Sequence, residues 1–147
     1  LDLLQQRSVK GIQIHKSLGR HLYHGILGLA FNKDIRIICV GNSSSGIKET
    51  PAFGCPTVNI GSRQSGRLRG KNVIDVDYKE TDIFDSIEFC LKDINFRKQC
   101  FETDNPYYAG NSGEKIAKII SKIPINKDLL RKKMTLNGEV NDEGWYK

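Results

Sequence analysis

Between residues 37 and 70 the chain sets two apolar runs ahead of two glycine- and serine-rich turns, and no other feature narrows its fold as much. Ile37-Ile38-Cys39-Val40 has no polar interruption and reads as a buried strand. It ends in Gly41-Asn42-Ser43-Ser44-Ser45-Gly46, a turn that leads into a helix start. The second run, Pro56-Thr57-Val58-Asn59-Ile60, ends in the basic turn Gly61-Ser62-Arg63-Gln64-Ser65-Gly66-Arg67-Leu68-Arg69. Strands joined through a helix pair in parallel, so both turns face one edge of the sheet, where open α/β sheets hold ligands.

The first turn has the makings of an anion site. Backbone amides at a helix start have no partner inside the helix, and the aligned peptide dipoles leave partial positive charge there. Ser43, Ser44, Ser45 and Gly46 are small enough for close approach, and the hydroxyls can cap the helix or bond phosphate oxygens. Glu49 lies about a turn further on. A carboxylate repels a neighbouring phosphate, and an exact contact with two sugar hydroxyls is one reason to keep it there. A serine-rich turn that only caps its helix is the plainer alternative; Arg63, Arg67 and Arg69 in the next turn weigh toward a ligand.

The remaining elements follow from periodicity. Gly11–His15 alternates and predicts a short strand over 12–15, closed by Lys16-Ser17-Leu18-Gly19. His21–Ala30 carries an apolar helical face that includes Tyr23, and Asn32-Lys33-Asp34 is a polar turn before a strand over 35–40. Pro51 shortens the helix after Ser44 to about two turns, with Gly54 as its cap. Asn72–Val76 is a further strand, and Asp75 and Asp77 beside it are expected to be solvated. Thr81 caps a helix bearing Ile83, Ile87, Cys90 and Leu91, and Phe96 and Phe101 bracket a short helical turn. Ser112–Ile123 is a helix whose Ile116, Ile119, Ile120 and Ile123 are expected to face the core. Residues 2–10 suggest the remnant of a helix, and from Lys127 the composition turns polar, with Trp145 as a lone anchor. The expectation is four parallel strands covered by helices on both faces, a Rossmann-like α/β sheet over residues 1–126 with a polar tail over 127–147.

Composition excludes several classes. With 147 residues, 38% hydrophobic and 27% charged, the chain suffices for one domain with a core. No run approaches the roughly 18 apolar residues of a membrane helix, and a cytoplasmic location is expected. Cys39, Cys55, Cys90 and Cys100 lack CxxC or metal spacing and are expected to be reduced and buried. His15, His21 and His24 show no ligand spacing either and are assigned surface or cap roles, with a bond to phosphate from such a turn as the alternative, so neither metal nor cofactor is expected. The net charge of +6 and the cluster Arg63, Arg67, Arg69 and Lys71 raise nucleic-acid binding. Stacking aromatics and RNA-binding motifs are missing, and an anionic small ligand accounts for the charge better.

The segment Gly41–Gly70 closely resembles the C-terminal half of the hydrolysing UDP-N-acetylglucosamine 2-epimerases of sialic acid-type biosynthesis. The likeness continues through Ile14-His15-Lys16-Ser17-Leu18-Gly19-Arg20-His21-Leu22-Tyr23 upstream. Downstream it takes in Asn72-Val73-Ile74-Asp75-Val76, Asn105-Pro106-Tyr107 with Gly110-Asn111, and Lys132-Lys133-Met134-Thr135. It spans roughly residues 12–136, which is far more specific than a single glycine motif. It implies the nucleotide-holding half of a glycosyltransferase B-type enzyme with two Rossmann-like halves, here a C-terminal fragment, since Leu1 is not an initiator methionine and members of the family are more than twice as long.

Carried over residue by residue, the resemblance implies that Ser43 and Ser44 bind the diphosphate, Glu49 the ribose hydroxyls, Arg63 the UDP moiety, and Ser17 with Leu18 the uridine. The loop at Asn105 would approach the diphosphate. Catalytic groups would come chiefly from the N-terminal half, so no catalytic residue is assigned and this part alone is expected to be inactive. The implied partner is UDP-N-acetylglucosamine, with no nucleic acid or membrane, in a homo-oligomer at full length. The other readings are half of a UDP-sugar glycosyltransferase, a UDP-diacetamido-sugar 2-epimerase and, more remotely, a basic interaction module.

Overall fold

A computed structural model describes residues 11–108 and 110–127. The chain divides into two compact units, Leu1–Tyr108 and Ala109–Lys147. The suggested helix before Gly11, the motif at Lys132, the polar tail after Lys127 and Trp145 lie outside the described residues.

The first unit is built on three parallel strands in sequential order, β1 (Cys39–Gly41), β2 (Thr57–Ile60) and β3 (Val73–Val76). Cys39 stands opposite Thr57, and Thr57 opposite Val73. On the central strand Thr57, Val58 and Asn59 are all buried, although successive side chains point to opposite faces. Both faces of β2 are therefore covered, as an α/β layered fold requires.

Helix α1 (Gly19–Gly28) runs on into a 3-10 turn, Leu29–Phe31, and buries Leu27 and Ala30 against Cys55, with Tyr23, Ile37, Cys39 and Phe53 packed around them. Helix α2 (Ser45–Lys48) packs on β1 and β2. It comes close enough that a Cβ on Gly46 would lie 3.0 Å from Thr57 Cγ2. Pro51 falls at the start of the next 3-10 turn, Thr50–Phe53, and Gly54 closes it at φ +60°, so the short, glycine-capped helix is as the sequence indicates. Helix α3 (Glu80–Lys92) packs on β2 and β3, and α4 (Ile94–Phe101) follows, capped by Asp93, whose carboxylate accepts from the Phe96 amide at 2.6 Å. The second unit contains α5 (Ser112–Ile120).

Four expectations are corrected. Residues 12–15 form no strand: Ile12 is exposed and no strand ladder includes the segment, because alternation produces a strand only where a neighbour supplies the hydrogen bonds. Residues 35–38 precede β1 rather than belong to it. Thr81 does not cap α3; Lys79 holds that position, and Thr81, already inside the helix, donates its hydroxyl to Asp82 at 3.1 Å. On α5, Ile116, Ile119 and Ile120 are more than half exposed and Ile123 beyond its end is 37% exposed, so this apolar stripe is not core.

Beneath α2 a buried polar network joins helix to sheet. Thr50 donates to the Gly46 carbonyl at 2.7 Å and accepts from Thr57 Oγ1 at 2.9 Å and Asn72 Nδ2 at 3.0 Å. Asn72 also donates to the Cys55 carbonyl at 2.8 Å. These bonds replace those the same groups would make to water, and they fix the segment that carries Glu49.

Candidate functional site

An open cleft of about 760 Å³ lies between the start of α1 and the end of α2. Ser17, Leu18, Gly19 and Arg20 form one wall, Ser45 and Glu49 the other, with Tyr23, His24 and His15 completing the lining. The walls are joined by side chains. His24 donates from Nε2 to Glu49 Oε2 at 2.6 Å, and the Tyr23 hydroxyl is hydrogen-bonded to Ser45 Oγ. Helix periodicity explains the placement: Tyr23 and His24 follow the first turn of α1, so they meet α2 from the same face that buries Leu27.

Burial is the first cause that raises the Tyr23 hydroxyl above the usual tyrosine pKa, and it does the same for the neighbouring Cys39 thiol. Both stay neutral at physiological pH. The anionic group of the cleft is Glu49, whose side chain is 39% exposed. With Oε2 occupied by His24, Oε1 remains to accept from hydroxyl donors. Among the described residues, no group of three or more His, Cys, Asp or Glu side chains is arranged to hold a metal ion.

Of the residues singled out from the sequence, the structure brings Ser17, Leu18 and Glu49 into this one cleft. Ser17 Oγ accepts from the Gly19 amide at 3.3 Å, and Leu18 is the N-cap of α1. Ser43 and Ser44 stand at the junction just before Ser45 rather than on the lining. Ser43 Oγ accepts from the Ser45 amide at 3.3 Å, while the Ser44 side chain makes no capping bond. Arg63 sits on the turn after β2 and donates to the Asn42 carbonyl at 3.2 Å, beside Gln64, which donates to the same oxygen at 2.7 Å. The two strand-end turns therefore do meet at one sheet edge. The loop at Asn105 meets the opposite end of α2: Asn105 Nδ2 donates to the Lys48 carbonyl at 3.0 Å, and the Lys48 ammonium lies 5.4 Å from the Tyr107 ring centre.

Two assignments change. His24 is neither a surface nor a cap residue but the hydrogen-bond partner of Glu49. Its position one residue after Tyr23 on an amphipathic helix was the only local signal, and Glu49, 25 residues on, is not visible from it. Asp75 is not simply solvated: it pairs with Arg69 Nε at 2.6 Å and accepts from Asn59 Nδ2 at 2.6 Å.

The sequence matches the family described as UDP-N-acetylglucosamine 2-epimerase over residues 2–121. The chain belongs to this family. It is 40% identical over 85 residues to the UDP-N-acetylglucosamine 2-epimerase of Neisseria meningitidis, covering 56% of this chain and 21% of that protein. It is 37% identical over 94 residues to polysialic acid biosynthesis protein P7 of Escherichia coli, covering 64% and 22%. It is 37% identical over 95 residues to the hydrolysing UDP-N,N'-diacetylbacillosamine 2-epimerase of Legionella pneumophila, covering 65% and 24%. The chain thus spans less than a quarter of the length of these relatives. No helix among the described residues is long and apolar enough to cross a membrane.

Proposed function

We propose that this chain is the UDP-holding part of a hydrolysing UDP-N-acetylglucosamine 2-epimerase, which converts UDP-N-acetylglucosamine and water to N-acetylmannosamine and UDP. One observation carries the reading: the Ser17-Leu18 turn and the Glu49 carboxylate, far apart in sequence, line the same cleft. In this reading the turn takes the uridine, Glu49 accepts from the ribose hydroxyls, and Ser43 and Ser44 with their amides take the diphosphate, beside Arg63. His24 orients the carboxylate by holding one of its oxygens, so Glu49 meets the pentose without searching rotamers.

The reaction is loss of UDP by elimination across C1–C2 of the sugar, then addition of water with inversion at C2. A base removes the C2 proton and an acid protonates the leaving oxygen. The residues of this chain bind and orient the nucleotide; the groups that move protons are assigned to the remainder of the enzyme, and this part alone binds UDP weakly without turnover. A diacetamido sugar is the second reading, favoured by the similarity to the Legionella pneumophila protein.

The full-length protein is expected to release UDP and N-acetylmannosamine from UDP-N-acetylglucosamine with no acceptor present. Release of UDP only with an acceptor would make it a glycosyltransferase, and no release from either sugar nucleotide would end the enzymatic reading. Glu49→Ala is expected to weaken UDP binding by about 1–3 kcal/mol through lost charge-assisted hydrogen bonds. Unchanged affinity in calorimetry would remove Glu49 from the site.

A further inference from the structure

A second pocket, of about 440 Å³, lies away from Glu49, between the polar turn after α1 and helix α4. Its wall carries Lys33 from the turn and Arg36 from the segment that leads into β1, Lys92 from the end of α3, and Arg97 and Lys98 from α4. No acidic residue lines it. Lys92 bonds Glu88 at 2.7 Å, and Lys98 is 4.0 Å from Glu102. Among the described residues, Lys33, Arg36 and Arg97 have no carboxylate partner.

The two guanidinium groups are nevertheless held in place. Arg36 Nη1 donates to the Leu91 carbonyl at 3.2 Å and Arg97 Nη2 to the Ile35 carbonyl at 3.1 Å. Neutral carbonyls fix their position without cancelling their charge, and the enclosed Arg97 Nη1 makes no hydrogen bond at all. Between the cations lies apolar surface: Ile94 is 76% exposed and Phe101 41% exposed, the latter with its ring 6.4 Å from Phe31. The like charges repel one another and the apolar surface between them is unfavourably exposed to water, whereas an anion with an apolar body relieves both. The volume is that of a small-molecule site.

We propose that this pocket binds a small organic anion, a phosphate ester or polycarboxylate with a flat or apolar body, at a site separate from the Glu49 cleft. The charged group sits among Lys33, Arg36 and Lys98, and the apolar body lies on Ile94 and Phe101. The inference is independent of which nucleotide sugar the cleft takes.

Phenyl phosphate, inorganic phosphate and phenol separate the two requirements on the full-length protein, with binding read by calorimetry and by amide shifts around Ile94 and Lys98. Phenyl phosphate is expected to bind at least tenfold more tightly than either of the others, to weaken with added salt, and to persist in saturating UDP. Lys33→Glu with Lys98→Glu, both exposed positions, is expected to weaken phenyl phosphate at least tenfold, and Glu49→Ala to leave it unchanged. Ile94→Ser is expected to lower phenyl phosphate binding and leave inorganic phosphate alone. Equal affinity for phenyl phosphate and inorganic phosphate, simple competition by UDP, or indifference to the charge-reversed variant would each overturn the proposal.

Discussion

Two groups of basic residues in this chain behave in opposite ways. Arg63, Arg67, Arg69 and Lys71 are almost contiguous in sequence, yet two of these cations are engaged within their own turn and its neighbours. Arg69 pairs with Asp75 and donates to the carbonyls of Arg67 and Gln64, while Arg63 donates to Asn42. Lys33, Arg36, Lys92, Arg97 and Lys98 come from three separate segments and converge on one pocket with no acid in its wall. A run of charge along the chain thus serves largely to tie two strand-end turns together, and the cationic surface arises where no run exists. The physical distinction lies in the guanidinium groups: Arg69 meets a carboxylate as well as carbonyls, whereas Arg36 and Arg97 meet carbonyls alone, and the lysines beside them reach only Glu88 and Glu102, outside the pocket wall.

The largest expected effect concerns Arg97, which faces buried thiols instead of carboxylates. Burial pushes Cys55 and Cys100 up to about 12 and Cys90 up to about 11, and Arg97 lowers each of them in part. The folded state therefore keeps these protons after the unfolded chain has released them near pH 9. Their contribution to stability is complete below that pH and is lost as pH rises toward 11–12, at about 1 kcal/mol per thiol by pH 10. Urea unfolding at pH 8 and pH 10 checks this; equal stability would show that the thiols are not held protonated in the folded state.

Next in size is Arg69→Ala. It removes an ion pair and two carbonyl bonds at a side chain 24% exposed, and is expected to lower unfolding free energy by about 2 kcal/mol. A change under about 0.5 kcal/mol, the range of ordinary surface substitutions, would mean that the contiguous group is no more occupied than the scattered one. The smallest effect belongs to Lys33→Ala with Lys98→Ala, expected to stay within about 0.5 kcal/mol at low salt. Since this pair relieves repulsion that salt otherwise screens over a Debye length of about 10 Å at 0.1 M, the variant should gain less stability from added salt than the parent protein. An identical salt response would dissolve the contrast between the two groups.

Much of the architecture was legible because its signals are local. The apolar run at Val58, the shortening at Pro51 and the left-handed closure at Gly54 each depend on a few neighbouring residues, and each appears as read; the run over 37–40 yields a strand only at Cys39–Gly41, with Val40 42% exposed. The segment 12–15 misled because alternation describes a surface, not a ladder partner. Ile116, Ile119 and Ile120 misled because a helical stripe says that a face is apolar and not what packs on it. Of the candidate site, Glu49 and the Ser17-Leu18 turn could be named from the sequence and do share a cleft, whereas the bond from His24 to Glu49 joins two helices and had no counterpart in any spacing.

By itself the sequence determined the parallel strand-turn-helix order from β1 to β3 and the family, since hydrophobic periodicity and collinear motifs are carried by near neighbours. The tertiary structure alone decided which polar groups face each other: His24 with Glu49, Asn72 with Thr50, Arg69 with Asp75, and five cations around Ile94 and Phe101. Burial of apolar surface acts without direction and tolerates many partners, but a hydrogen bond or an ion pair needs its counterpart within about 3–4 Å at a set angle. That condition is met only once the chain has closed on itself.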